Sequence, residues 1–356
     1  MSTKELTAAT ALILAEHVEK TAASITLRTI HAEHQNIIDE AIKETLKHRK
    51  AQTSETDSLT PQDHFYREIS RIEEIVNGFQ IVSEKATSGS WTPRDVVYAV
   101  YSINTVILTV LKEVLKIRNS KKNDFSSPES NAYEYLPWTA SPGPQGLRTL
   151  LMRQFHLTLN KVTPLAEDSS AKIEFYQQCV ELTDFILDGY KNQLGSLWKN
   201  IDRQKAVLKM YEKDRQEMIM ALVQKQCYEE AASLAEKYLE FNALVKICEL
   251  TKDHEKLEQY MEMFADQNFS NFVFDWHVRE GKQAKLLSQN YSGTRNNQLG
   301  QYLKSHSELS WMHEIEVQKF ADAATTLKAL GTISIITIFC HTHNHFKRKF
   351  TESFKN

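Results

Sequence analysis

From Cys227 to Leu287 the apolar residues recur at helical spacing through four consecutive segments, and this constrains the chain more than any other feature. Ala231, Leu234, Ala235, Tyr238 and Leu239 form the first stripe, and Phe241, Leu244, Val245 and Cys248 the second. Leu257, Tyr260, Met261 and Phe264 follow, then Phe269, Phe272, Val273 and Trp276. The breaks, Thr251 to His254 and Ala265 to Asn268, are short and polar, so each helix must turn back along its neighbour. Short amphipathic helices are marginal alone and have to bury their stripes on one another. The pattern predicts an all-α fold, an elongated irregular α-solenoid of helical hairpins that offers partners a surface instead of a pocket.

The rest of the 356 residues fits that class. Ten Gly and seven Pro leave long stretches free for helix, because four of the prolines (Pro128, Pro137, Pro142, Pro144) fall between Asn119 and Gly146. The expected organisation is an N-terminal helical segment over 1–118, a Pro-rich irregular loop over 119–146, a helical stack over 147–330 and an atypical tail over 331–356. In the first segment Leu14, Val18, Ala22 and Ile25 read as a buried stripe, and Thr92, Pro93 and Asp95 as a helix start. Val97, Val100, Asn104, Ile107, Leu111 and Leu115 form the next buried face. Tyr133, Tyr135, Leu136 and Trp138 are too apolar for a free linker and read as a strap laid on the helices. From Gly331 a β-branched run, Ile333 to Phe339, replaces the helical grammar and reads as disordered and aggregation-prone.

Forty-three basic and forty-six acidic residues give a net charge of −3, which points to neither nucleic acid nor an anionic membrane. Four scattered cysteines, Cys179, Cys227, Cys248 and Cys340, suit a reducing compartment. The N-terminus lacks a basic n-region and a cleavage pattern, and no apolar run approaches the length of a membrane span.

Signatures of phosphate binding, hydrolysis and zinc catalysis are missing, and none of the thirteen histidines follows a Glu at the three-residue interval a di-iron bundle needs. His31 and His34, one turn apart, read as a solvated helix face before a metal site. His341, His343 and His345 behind Cys340 read as adventitious at most, and Lys347 to Lys349 as a chance basic cluster. No catalytic, cofactor-binding or metal residue is assigned, and no cofactor is expected. Phe272 and Trp276 share the core stripe, whereas Phe274 points away from it. Trp138, Phe274 and Trp311 are therefore the candidate interaction residues.

Four stretches carry a resemblance: Glu134 to Gln154 (EYLPWTASPGPQGLRTLLMRQ), Ala231 to Glu249, Phe264 to Gln289, and Glu308 to Ile315. Together they resemble the helical C-terminal half of the nucleoporin one-thirty-three family, from about residue 8 to about residue 330. The resemblance implies a non-enzymatic scaffold subunit of the Y-shaped outer-ring complex of the nuclear pore, located at the nuclear envelope and serving pore assembly, mRNA export and protein import. Its implied partners are other Y-complex nucleoporins. The sequence departs from the family at both ends, reading as truncated: the propeller with its membrane-sensing loop is missing, so no membrane insertion is expected. Docking onto nucleoporin one-oh-seven through terminal helices is placed in doubt by the departure after Leu330. Two alternatives stay open: on the periodicity, a helical module of a vesicle coat or tethering complex, and, on the departures at both ends, a non-functional truncated isoform.

Overall fold

The computed structural model describes residues 3–49, 59–89, 91–125, 134–288 and 294–331. Among them every regular element is helical and none is a strand, as the all-α reading requires. The chain divides into two compact units, Met1–Ala243 and Leu244–Asn356, a boundary that falls inside the expected 147–330 stack. The β-branched tail, with Cys340 and its histidines, lies outside the described residues, as does Tyr133.

The first unit contains α1 (Thr3–Thr29), α2 (Gln35–His48), α3 (Pro61–Tyr66), α4 (Ile75–Ser88), α5 (Pro93–Phe125), α6 (Leu147–Leu157), α7 (Ser169–Ser196), α8 (Ile201–Gln224) and α9 (Tyr228–Tyr238). Two of these helices start with the same grammar. Thr92-Pro93-Arg94-Asp95 opens α5, with the Asp95 amide donating to Thr92 Oγ1 at 3.2 Å. Thr60-Pro61-Gln62-Asp63 opens α3 with a full capping box, the Thr60 amide donating back to Asp63 at 3.0 Å. α5 runs on to Phe125, through residues where the sequence suggested irregular chain, because the prolines begin only at Pro128.

α5 is the axis of this unit. Val100, Ile103, Val106 and Val114 are fully buried along one broad face of it, and α1, α4 and α7 pack against it. Pro93–Ser120 is thus apolar and long enough to cross a bilayer, which the sequence reading did not register. Its apolar faces are instead consumed by neighbouring helices, the mark of a core helix. Buried polar groups fix its register. Asn104 donates to Thr158 at 3.1 Å and to Gln178 at 2.9 Å and accepts from Gln154 at 2.7 Å, so one amide ties α5 to α6, to the turn after it and to α7. That turn, Thr158–Val162, is a π-helix. Pro164 has no amide hydrogen and crowds the preceding turn, so the helix widens there, and Thr163 Oγ1 donates to the Thr158 carbonyl at 2.9 Å.

α1 reverses an expectation. Leu14, Val18 and Ile25 are 56, 43 and 62 % exposed, whereas Glu19, Lys20, Ala23, Ser24 and Leu27 are buried. Polar partners decide the rotation: Lys20 reaches the Ser70 carbonyl and Glu73, and Glu19 is held by α5. α2 crosses α4 at Gly78, where a β-carbon would collide with the Ala41 carbonyl and Thr45, so the two backbones touch.

The boundary falls within the first turn of α10 (Phe241–Thr251), and the second unit holds the rest of that helix with α11 (His254–Met263), α12 (Phe269–Arg279), α13 (Gln283–Ser288), α14 (Thr294–Leu303), α15 (Ser307–Glu316) and α16 (residues 320–331). One device ends helix after helix from α8 onward. A left-handed residue, Gln226, Leu239, Lys252, Asn268, Gly281 or Gln318, follows the helix. The next amide then reaches back five residues: Cys227 to Leu222, Glu240 to Ala235, Asp253 to Cys248, Phe269 to Phe264, Lys282 to His277 and Lys319 to Glu314, at 2.7–3.4 Å. Leu239 is therefore not the last rung of the α9 stripe; it is the residue that reverses the chain.

Glu249, near the end of α10, anchors the corner between α12 and α13. Lys282 and Lys285 donate to it at 2.9 and 2.6 Å, and the buried His277 stands 3.6 Å away. Burial alone raises this carboxyl, but the Lys285 and Lys282 hydrogen bonds win and hold its pKa at about 2.

Two predictions follow from these contacts. Lys252→Gly relieves a left-handed side chain and raises stability by about 0.5–1 kcal/mol, whereas Lys252→Val lowers it by about 1–2 kcal/mol, both read from urea midpoints. A folded pKa near 2 against an ordinary 4.5 means that the Glu249 contribution is complete above pH 4.5 and disappears as the pH falls toward 2. Thermal melts between pH 2 and 6 accordingly show a shallower acid slope for Glu249→Gln than for the parent.

Candidate interaction surface

Trp138 sits in a strap, residues 134–146, that crosses the first unit. Pro137 ends the extended chain and a single 3₁₀ turn, Trp138–Ala140, drops the indole inward. Its Nε1 donates to Glu19 at 2.9 Å, and Arg118 clasps the same carboxylate from α5 at 2.8 and 2.6 Å while reaching Thr139 at 3.2 Å. Lys20 lies over the indole at 5.7 Å. Burial works against the Arg118 charge, yet the Glu19 hydrogen bonds and charge keep its pKa above the ordinary arginine value. The strap is pinned on its other side by α7. The Tyr135 amide donates to Ser196 at 2.8 Å, Gln193 donates to Glu134 at 2.6 Å, and Gly189 makes room for Ala140, whose β-carbon would lie 2.7 Å from a β-carbon at 189. Trp138 is 8 % exposed, so it closes the core and offers no interaction surface. The sequence identified the strap and misjudged the side on which its tryptophan works.

Phe274 corrects a second expectation. It is fully buried, with its ring centroid 5.6 Å from that of Tyr302 on α14. α12 is covered on more than one side, so leaving the Phe269–Val273–Trp276 stripe does not bring a side chain to water. Trp311 on α15 is half-buried, and Ile315, one turn on, is exposed. Of the three sequence candidates only Trp311 keeps a face outside, and the structure does not gather the three into one site. His31 is another correction: it is buried, hydrogen-bonded to Asp39 at 3.0 Å and near the Tyr66 ring, where a solvated face was expected. Among the described residues no three His, Cys, Asp or Glu side chains converge as metal ligands. Cys179, Cys227 and Cys248 are buried free thiols whose pKa values burial pushes upward.

Besides Leu14, Val18 and Ile25 on α1, large apolar side chains are exposed at further places in the first unit. An open depression of about 720 Å³ between the starts of α2 and α5 is lined by His34, Gln35, Trp91, Thr92, Asp95 and Tyr98, with Trp91 and Tyr98 exposed. Trp198, in the turn before α8, is exposed, as are Ile201, Leu208 and Met210 along the leading half of that helix. The signal for the latter was present: Ile201 and Leu208 are seven residues apart on a helix otherwise rich in charge.

The family described as non-repetitive/WGA-negative nucleoporin C-terminal matches residues 146–334. The chain is 38 % identical over 334 residues to the nuclear pore complex protein Nup133 of Mus musculus, covering 91 % of this chain and 28 % of that protein. It is 33 % identical over 327 residues to the Drosophila melanogaster protein of the same name, and 22 % identical over 331 residues to nucleoporin nup132 of Schizosaccharomyces pombe. The chain thus spans little more than a quarter of the length of these relatives, 28, 27 and 28 % respectively. With more than half of its residues inside the family match and an all-α fold to go with it, the chain belongs to the non-repetitive/WGA-negative nucleoporin C-terminal family.

Proposed function

We propose that this chain serves as a structural scaffold of the nuclear pore complex at the nuclear envelope, working through protein–protein contacts and not through catalysis. Its partners in this reading are other nucleoporins of the Y-shaped outer-ring complex, and its contribution to mRNA export and protein import is indirect, through assembly of the pore. The observation that carries the reading is the 36–38 % identity, over about nine-tenths of the chain, to three vertebrate proteins named as nuclear pore complex protein Nup133. The structure supports it from a different side: the polar clusters described above, around Glu19, Asn104 and Glu249, tie helices to one another. Exposed apolar side chains on helix faces are what remains for partners.

The test is recovery of a tagged chain from cells, followed by identification of what accompanies it. Enrichment of outer-ring nucleoporins over an unrelated helical control is the expected result; recovery of vesicle-coat or tether subunits in their place overturns the reading. The buried and exposed aromatics separate in the same assay. Trp138→Ala lowers the stability of the purified chain by about 3–5 kcal/mol in urea titrations. Trp311→Ala leaves the urea midpoint nearly unchanged and reduces the recovery of partners.

A further inference from the structure

α8 is covered along only half of its length. Met218, Ile219, Leu222 and Val223 are buried in its second half, but in the stretch 201–210 only Val207 is. α9 runs back antiparallel along α8 and stops at Tyr238, where the Tyr211 hydroxyl and Arg215 Nη1 donate to the Tyr238 carbonyl and Arg215 Nε donates to Glu240 at 2.6 Å. At about 100° per residue, Ile201, Leu208, Arg215, Ile219 and Val223 share one flank of the helix. α9 therefore covers this flank from Val223 to Arg215, and beyond its end Leu208 and Ile201 are 40 and 60 % exposed. Trp198, 56 % exposed in the turn before α8, extends the bare stretch.

The charge of the stretch is as distinctive as its apolar stripe. Residues 198–213 hold five basic side chains, Lys199, Arg203, Lys205, Lys209 and Lys213, against Asp202 and Glu212, a net of +3 in a chain whose net charge is −3. Arg203 is engaged by Glu134. Lys205 and Lys209 are exposed, and neither has an ion-pair partner among the described residues. The helix already seated on the flank shows what chemistry fits there. α9 carries Glu229, Glu230 and Glu236 beside its Ala231–Leu234–Ala235–Tyr238 stripe, and Arg215 of α8 clamps Glu240 just past its end.

We infer that the leading half of α8, with Trp198, Ile201 and Leu208 as its apolar stripe and Lys205 and Lys209 as its rim, docks an amphipathic helix with an acidic flank from a partner protein, laid end to end with α9. Helix-in-groove recognition supplies apolar anchors at helical spacing, and the lysines select the charge of the partner and its orientation. The inference rests on the scaffold reading for its supposition that a partner protein is presented, though not for its chemistry.

The test uses the purified full chain and three fluorescein-labelled synthetic helices: one with Leu and Ala at i, i+3, i+4 and i+7 flanked by Glu, its Lys-flanked counterpart, and a scrambled control. Fluorescence anisotropy at physiological salt is expected to show saturable binding of the Glu-flanked helix, about tenfold or more tighter than the Lys-flanked one. The double variant Ile201→Asp with Leu208→Asp weakens it by at least about tenfold, and Lys205→Glu with Lys209→Glu abolishes the charge preference. Unchanged melting temperatures establish that the variants remain folded, since every substituted side chain is exposed. Absence of saturable binding, or equal binding by the double variants, overturns the inference. So does co-sedimentation with phosphatidylserine-containing vesicles that the Asp variants abolish while the peptide fails to bind, because the occupant is then a lipid surface. Peptide binding without recovery of nuclear pore subunits from cells leaves this docking site standing and removes the scaffold reading; recovery without peptide binding does the reverse.

Discussion

The turn that closes six of the later helices, α8 to α12 and α15, governs how that part of the chain must pack. An amide reaching five residues back across a left-handed residue leaves only two to five residues between successive helices. With so little chain between them, consecutive helices such as α8 and α9 have to lie against each other. Their apolar stripes then have an assigned partner before any distant contact forms, which suits 10- and 11-residue helices that are unstable alone. The left-handed residue is glycine at only one of the six corners, Gly281. The other five carry side chains in a conformation that costs about 1–2 kcal/mol each, so the packing on either side must hold the corner in place.

The first unit is organised differently, by long helices gathered around α5 and locked by a few polar groups. Glu19 joins α1, α5 and the strap through one carboxylate, and Asn104 joins α5, α6 and α7 through one amide. Buried polar groups of this kind tolerate only one register, because a helix sliding by a turn leaves a desolvated donor or acceptor without a partner. The same reasoning accounts for α1. Apolarity alone would turn Leu14, Val18 and Ile25 inward, but rotating them in would expel Glu19 and Lys20 from Arg118, Ser70 and Glu73.

Helix existence was legible in the sequence because 3.6-residue periodicity is a local property, and so was the Thr92 start, whose capping partner is three residues away. The second start, at Thr60, carries the same four-residue grammar, but it stands directly before a helix of only six residues. What the sequence hid was the far side of each contact. No local pattern tells that Glu19 awaits an indole 119 residues on, or that α14 will cover the face of α12 that Phe274 occupies. Leu239 was assigned to a stripe because its spacing fits. Its left-handed backbone is imposed by the amide of Glu240 returning to Ala235, which spacing does not encode.

The fate of the aromatic residues has a common cause. A helix of ten or eleven residues has only a handful of side chains with which to fill the space against its neighbours, and bulky rings fill it best. Phe264, Phe269 and Tyr260 interlock at 5.9–6.5 Å between centroids for that reason, and Phe274 joins Tyr302 for the same one. In folds built this way a large ring on a regular helix is first of all core, and the general enrichment of aromatics at interfaces is a poor guide to the outer surface. The better guide is an interruption of cover: a flank along which one helix ends before the helix beneath it does. There the stripe continues by inheritance from the packed half, apolar without a neighbour, and the charges beside it are the ones its missing neighbour has to answer.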